Sequence, residues 1–92
     1  YPKMLQAYGA LGAAAAEGNV LDAKTRELIA LAVAVTTRCE SCIGVHADEA
    51  VKAGATEEEV AAALAMSIAL NAGAAYTYSL RALEAYNAQK GE

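Results

Sequence analysis

The chain has 92 residues, a formal net charge of −4 and 57% apolar side chains, so it is predicted to form one domain over residues 1–92. Its seven basic residues are scattered, and no basic stripe follows a phosphate backbone, which excludes nucleic acid as a favoured partner. Alanine occurs 25 times and contributes little buried area, so we expect other copies of the chain to complete the core in a homo-oligomer.

The first helix begins at the only proline, Pro2, since proline is favoured in the first turn of a helix. It runs to about Glu17, where Gly18 and Asn19 end it. The chain offers no pair of strand candidates, and glycines separate about five to six helical segments. The pattern therefore predicts an all-α fold.

The second helix is capped by Asp22 and runs to about Thr37, next to a short break at residues 36–38. Its stretch from Leu28 to Val35 is apolar on all sides, which predicts a central helix that is buried on most of its faces. This longest strongly apolar run has eight residues, short of the ~20 that a membrane span needs, so no membrane partner is predicted.

The third helix is predicted to begin at or near Cys39 and to end at Gly54. Thr56, with Glu59 three residues later, is typical of a capping box at the start of the fourth helix. Residues 71–73 (Asn-Ala-Gly) are expected to interrupt the pattern and to separate a final helix. That helix carries four large side chains, Tyr76, Leu80, Leu83 and Tyr86.

Residues 39–46 are the most informative segment, because they hold both cysteines and the only histidine. In a helix Cys39, Cys42 and His46 fall at i, i+3 and i+7, so all three project from one apolar face. Polar groups on such a face need a partner or a function. Because a helix start lowers the pKa of a CxxC thiol below its usual value of about 8.5, the spacing predicts a dithiol redox site.

The spacing also predicts a role for each of the three side chains. Cys42 is the attacking thiolate and the more acidic thiol, because His46 lies one turn beyond it and the helix dipole acts on the same sulfur. His46 is the base. Cys39, one turn earlier, lies within reach to form a disulfide with Cys42 and is the resolving thiol.

A base needs a group that orients it, and two carboxylates are candidates. Glu49 lies at i+3 from His46 but near the solvated border of the helix. Glu27 enters the apolar second helix one turn in, where an unpaired charge is costly. From the residues alone, Glu27 is equally well explained as an acid that complements the helix dipole or pairs with Lys24.

Two other interpretations of the cysteine segment stay open. Thiolates and imidazole suit zinc, but only three ligands are local, and a fourth would come from Glu27 or a neighbouring subunit. Alternatively, the chain is a helical oligomerisation module with a vestigial, inert dithiol. We predict no metal and no cofactor. Two cysteines at CxxC spacing without others indicate a reducing compartment, so the cytoplasm is the expected location.

The arrangement of Glu27, Cys39, Cys42 and His46 resembles the signature of the alkylhydroperoxidase D core, in the carboxymuconolactone decarboxylase-like superfamily. The carboxylate lies twelve positions before the CxxC, and the histidine follows the second cysteine by four. Residues 21–32 and 46–60 are similar as well. The likeness covers about residues 20 to 75 well, and it is more specific than a lone CxxC.

The resemblance implies an all-helical fold and assembly into trimers or hexamers. It implies a proton relay from Glu27 through His46, directly or by a water, to Cys42, which attacks the oxidant while Cys39 resolves. The implied reaction is reduction of a hydroperoxide, with a lipoyl-type or similar dithiol as donor or a peroxiredoxin as redox partner. Ser41 stands where well-characterised members carry a histidine, so weaker turnover or another electron partner is expected. The decarboxylase branch lacks this cysteine pair, so lactone decarboxylation is not expected.

Overall fold

The computed structural model describes residues 1–91, and within this range every regular element is a helix, which confirms the all-α class. The elements are α1 (Pro2–Ala15), a 3-10 helix (Glu17–Asn19), α2 (Ala23–Thr37), α3 (Glu40–Lys52) and α4 (Glu57–Gln89). Four α-helices and one 3-10 helix therefore stand where about five to six helices were predicted. Glu92, the last residue of the predicted domain, lies outside the described residues.

The predicted helix starts are confirmed by their capping contacts. The Asp22 side chain accepts a hydrogen bond from the backbone N–H of Thr25, at 2.8 Å, and so caps α2. Thr56 and Glu59 form the reciprocal capping box of α4, at 3.1 and 2.9 Å. These contacts are local in sequence, and they set where each helix enters the fold.

The predicted break at residues 71–73 is wrong, because α4 continues through it as one helix of 33 residues. The Asn71 amide donates to the Ser67 carbonyl oxygen one turn earlier, at 2.7 Å, and to the Thr36 hydroxyl of α2, at 2.9 Å. Asparagine often ends a helix, but these hydrogen bonds let the Asn71 side chain remain within α4. Gly73 lowers the stability of the helix by about 1 kcal/mol relative to alanine. The other contacts of this long helix offset that loss.

Helix α2 is central, as predicted, since it packs against both α3 and α4. The buried apolar side chains are few: Leu31, Ala34 and Ala50. The expectation that α2 is buried on most sides is wrong for a single chain, because Ile29 and Val33 on one of its faces are about half exposed (48% and 53%). Residues 1–91 leave this face only partly covered, by clefts that open towards α1 and α4.

The single chain is more extended than a compact domain of its length. Its radius of gyration is 18.1 Å, whereas about 12 Å is expected for a compact chain of this size. Helix α1 has no buried residue, and the residues of α4 after position 70 are exposed. The large apolar side chains that α1 exposes are Met4, Leu5, Tyr8 and Leu11.

Helix α4 is long and apolar enough to cross a membrane, by length and composition alone, and little of its apolar stretch is buried within the chain. The apolar character of the chain therefore extends well beyond the run from Leu28 to Val35. The core helix of a soluble protein can have the same length and composition. The polar contacts of Ser67 and Asn71 show that the first half of α4 packs against α2.

Candidate active site

The connection between α2 and α3 places Cys39 at the start of α3. Arg38 ends α2 in the left-handed region, with φ 57°, and the Cys39 N–H donates back to the Ala34 carbonyl oxygen at 3.0 Å. This is the contact of a Schellman motif, which stops one helix and turns the chain at once. Cys39 is then the N-cap of α3. The predicted break at residues 36–38 is thus reduced to Arg38.

Cys39 and Cys42 form a disulfide across the first turn of α3, with their Cα atoms 5.2 Å apart. The Cys39 sulfur also accepts the backbone N–H of Cys42, at 3.3 Å, and lies 3.6 Å from the Ser41 hydroxyl oxygen. Both cysteines are half-buried. The contacts of the helix start therefore fall on Cys39, whereas the sequence argument assigned the effect of the helix dipole to Cys42.

His46 lies one turn beyond Cys42 and is bound to Glu27 of α2. Its Nδ1 is 3.0 and 3.1 Å from the two carboxylate oxygens of Glu27, whose side chain is 17% exposed. A carboxylate only accepts hydrogen bonds, so this contact assigns the proton to Nδ1 and leaves the Nε2 lone pair available as the base. The carboxylate, imidazole and dithiol thus lie along one face of α3 and the facing turn of α2.

The contacts of Lys24, Glu27 and Glu49 show which of these groups pair with one another. Lys24 does not pair with Glu27; its amino group donates to Glu59 of α4, at 2.8 Å. That hydrogen bond holds the pKa of the Glu59 carboxyl below its usual value and raises the pKa of Lys24. Glu49 is about half exposed and lies 3.7 Å from Lys52. Of the two candidates, Glu27 is the one that contacts the histidine.

Two clefts meet at Glu27. One is mostly apolar and is lined by α1 and by the start of α2, with the His46 imidazole in its wall; the other residues that line it are Gly12, Ala15, Ala16, Arg26, Ile29 and Ala30. The second is polar and is lined by Ala23, Arg26, Glu49, Lys52 and Ala53. The carboxylate therefore has an apolar approach on one side and a charged, solvated approach on the other.

Helix α1 contributes small residues to the wall of the apolar cleft, which the sequence pattern did not predict. Gly12, Ala15 and Ala16 carry no signal that separates them from the many other small residues of the chain. The contact of Ser41 with Cys39 was not predicted either, although a spacing of two residues at a helix N-cap is compatible with it. Among residues 1–91, no group of three His, Cys, Asp or Glu side chains is placed to hold a metal ion.

A model of the carboxymuconolactone decarboxylase family matches residues 2–85, nearly the whole chain. The chain belongs to this family. A crystal structure of a protein from Methanobacterium thermoautotrophicum has the same fold, with a TM-score of 0.79 and 31% identity, over 87% of this chain and 90% of that one. The Cys39–Cys42 pair is thus held in a family fold, which agrees with the superfamily resemblance drawn from the motif.

Curated relatives of this family member come from several bacteria. An "Uncharacterized protein" of Haemophilus influenzae is 89% identical over 90 residues, which cover 98% of this chain and 80% of that protein. Another uncharacterized protein, from Cupriavidus necator, is 33% identical over 95% of this chain and 77% of its own length. "Uncharacterized protein 4 in cox locus" of Paracoccus denitrificans is 42% identical over 71% of this chain and 59% of its own length.

Proposed function

We propose that this family member is a thiol-dependent peroxidase or disulfide oxidoreductase that cycles the Cys39–Cys42 pair. The observation that carries the proposal is the placement of this pair one turn from an imidazole that is itself bound to a half-buried carboxylate. A redox-active thiol needs a base, and a base works best when a third group orients it. Family membership supports the same general chemistry.

The oxidative half-reaction begins from the reduced pair. Cys42 loses its proton to Nε2 of His46, and the resulting thiolate attacks the terminal oxygen of a hydroperoxide. The O–O bond breaks, an S–O bond forms on Cys42, and the alcohol leaves with the proton returned by the imidazolium. Cys39 then attacks the Cys42 sulfur; the S–S bond forms and water leaves. One hydroperoxide is reduced for each disulfide formed.

Glu27 serves this step as a positioning residue. By accepting the Nδ1–H of His46, it fixes the tautomer in which Nε2 takes the thiol proton. Its negative charge stabilises the imidazolium that exists between the two proton transfers. Glu27 is also set between the apolar and the polar cleft. The apolar cleft suits the organic part of a hydroperoxide, and the polar cleft suits proton exchange with solvent.

The reductive half-reaction requires an external electron donor, which we propose to be a lipoyl-type or similar dithiol. Such a donor becomes a cyclic or intramolecular disulfide as it reduces the Cys39–Cys42 bond, so no other cofactor is needed. A peroxiredoxin is a second candidate partner, as the acceptor of electrons from the reduced pair. Nucleic acid and membrane surfaces are not proposed as partners.

We also propose that the protein acts as a homo-oligomer of three or six chains in the cytoplasm. Support for the oligomer comes from the extended shape of the single chain and from the apolar side chains that α1, α2 and α4 leave exposed. The exposed face of α2 and the last half of α4 need cover, which further copies supply. Two cysteines that act as a dithiol suit a reducing compartment.

A peroxide-consumption assay with several dithiol donors tests the proposed activity. The protein should consume hydrogen peroxide or an alkyl hydroperoxide when dihydrolipoamide or another dithiol is present, and Cys42→Ser should remove this activity. Ser79→Ala is a matched control, since Ser79 is an exposed helical serine whose hydroxyl bonds only to Ala75 of its own helix. Equal rates for Cys42→Ser and the parent would reject the proposal. Stoichiometric zinc after purification without chelator would favour the zinc-binding alternative instead.

A further inference from the structure

Two hydrogen-bond donors lie close to the sulfur of Cys39. One is the backbone N–H of Cys42, at 3.3 Å, and the other is the hydroxyl of Ser41, whose oxygen lies 3.6 Å away. A disulfide sulfur is a weak acceptor, but the same atom becomes a full negative charge when the bond is reduced. Charged acceptors form much stronger hydrogen bonds than neutral ones.

We propose that Ser41 and the Cys42 amide form a thiolate-stabilising site for Cys39, so that Cys39 is the leaving group when a dithiol donor reduces the disulfide. The inference rests on the proposed function, and it deepens that function by assigning the sulfur that the donor attacks. The donor attacks Cys42. The order of acidity expected from the sequence is thereby reversed, while the attack of Cys42 on peroxide, assisted by His46, is retained.

The physical reason lies in the position of Cys39 at the N-cap of α3. An N-cap side chain faces the unpaired N–H groups and the positive end of the helix dipole. Cys42 lies inside the first turn, and its own N–H points to Cys39. Ser41 is exposed, and its hydroxyl rotates freely enough to donate to the sulfur. Because a better-stabilised thiolate leaves faster, Cys39 is the leaving group and the donor attacks the sulfur of Cys42.

The reduction then proceeds in two balanced exchanges. A deprotonated sulfur of the donor attacks the Cys42 sulfur; a donor–Cys42 S–S bond forms, the Cys39–Cys42 bond breaks, and Cys39 leaves with the electron pair as a thiolate. The second donor sulfur, also deprotonated, attacks the first. The donor disulfide closes and Cys42 is released as a thiolate, which takes a proton from the imidazolium of His46 or from solvent. Two electrons have passed from the donor to the protein.

The acidity of the two thiols is the first test. In fully reduced protein, limiting iodoacetamide near neutral pH should label Cys39 before Cys42, and tandem mass spectrometry of the tryptic peptide 39–52 assigns the label. Ser41→Ala should slow labelling of Cys39 by about tenfold and move the midpoint of its pH profile upward, since a hydrogen bond to a charged group is worth about one decade. Ser41→Thr, which keeps the hydroxyl, should restore both, and Ser79→Ala should change neither.

The site of attack is the second test, with glutathione as a single-thiol probe of the oxidised protein. After acid quenching and alkylation, glutathione should be found on Cys42 and the alkyl group on Cys39. Ser41→Ala should slow this reduction more than it slows first-turnover peroxide consumption by reduced protein.

Glutathione found mainly on Cys39, or equal labelling profiles for Ser41→Ala and the parent, would overturn the inference. The labelling profile and the position of the glutathione are both measured without peroxide, so these two readouts are independent of the assay of the proposed activity. A protein that gives these results but consumes no peroxide would refute the peroxidase proposal and support the role of Ser41.

Discussion

Replacing Glu27 by glutamine removes the charge next to His46 and keeps the size of the side chain. At the observed distance of 3.0 Å, with an effective dielectric constant of about 20, a carboxylate attracts an imidazolium by about 5.5 kcal/mol. The His46 side chain is 34% exposed, so solvent screens the attraction between the two charges. Screening reduces the attraction to about half, or about 2.7 kcal/mol. About 2.7 kcal/mol of lost stabilisation corresponds to about a 10²-fold fall in turnover.

Glu49→Gln is the matched control for this change. Glu49 is also a glutamate near the site, but it is half exposed and lies near Lys52 on the solvated side of α3. We expect its replacement to change turnover by less than about twofold, as for an exposed ion pair. Both variants and the parent are compared in steady state with one hydroperoxide and one dithiol donor, and thermal unfolding checks that each is folded.

The reasoning about Glu27 would be refuted by equal turnover of Glu27→Gln and the parent. In that case the contact with His46 would have no part in catalysis, and Glu27 would remain a carboxylate that complements the start of α2. A fall in turnover of similar size for Glu27→Gln and Glu49→Gln would also count against it, because the effect would then be one of general charge near the site.

Three further predictions follow from the contacts of the fold. The Lys24–Glu59 bridge should stabilise the protein fully between the usual pKa values of Glu (4.5) and Lys (10.5). This stabilisation should be lost as the pH falls through the lowered pKa of Glu59, and also as the pH rises through the raised pKa of Lys24. Thermal unfolding of Lys24→Met against pH checks this, and an unchanged difference from the parent at acid pH would contradict it. Light scattering should report three or six chains; a stable, folded monomer of 9.4 kDa would contradict the oligomer. Peroxide should remove two hydrogens from the mass and leave no alkylatable thiol, whereas a sulfenic or sulfinic acid on Cys42 with Cys39 free would argue against the resolving role.

The sequence predicted those features of the fold that depend on near neighbours. The caps at Asp22 and Thr56 and the position of Cys39 at a helix start follow from side chains that bond to backbone groups within three residues. The face shared by Cys39, Cys42 and His46 follows from helical periodicity alone. The structure agrees with these predictions because few other conformations satisfy the same local contacts.

The remaining features depend on contacts between helices, which periodicity does not contain. Asn71 stays inside α4 because Thr36, 35 residues earlier, accepts its amide hydrogen. Lys24 would compete with His46 for Glu27, but Glu59 of another helix binds Lys24, and Glu27 contacts His46. The residues alone left Glu27 as one of two candidates to orient His46, and the motif resemblance favoured it. Ser41 was considered only as a departure from the family pattern, and its contact with Cys39 gives it a different role.

A single-turnover experiment without oxygen tests the central claim most directly. Fully reduced protein is mixed with one equivalent of an alkyl hydroperoxide, and the remaining peroxide, the alcohol formed and the free thiols are measured together. The account predicts that one peroxide disappears and one alcohol appears for every two thiols lost, with the new disulfide between Cys39 and Cys42. Peroxide that persists while both cysteines remain alkylatable would contradict it.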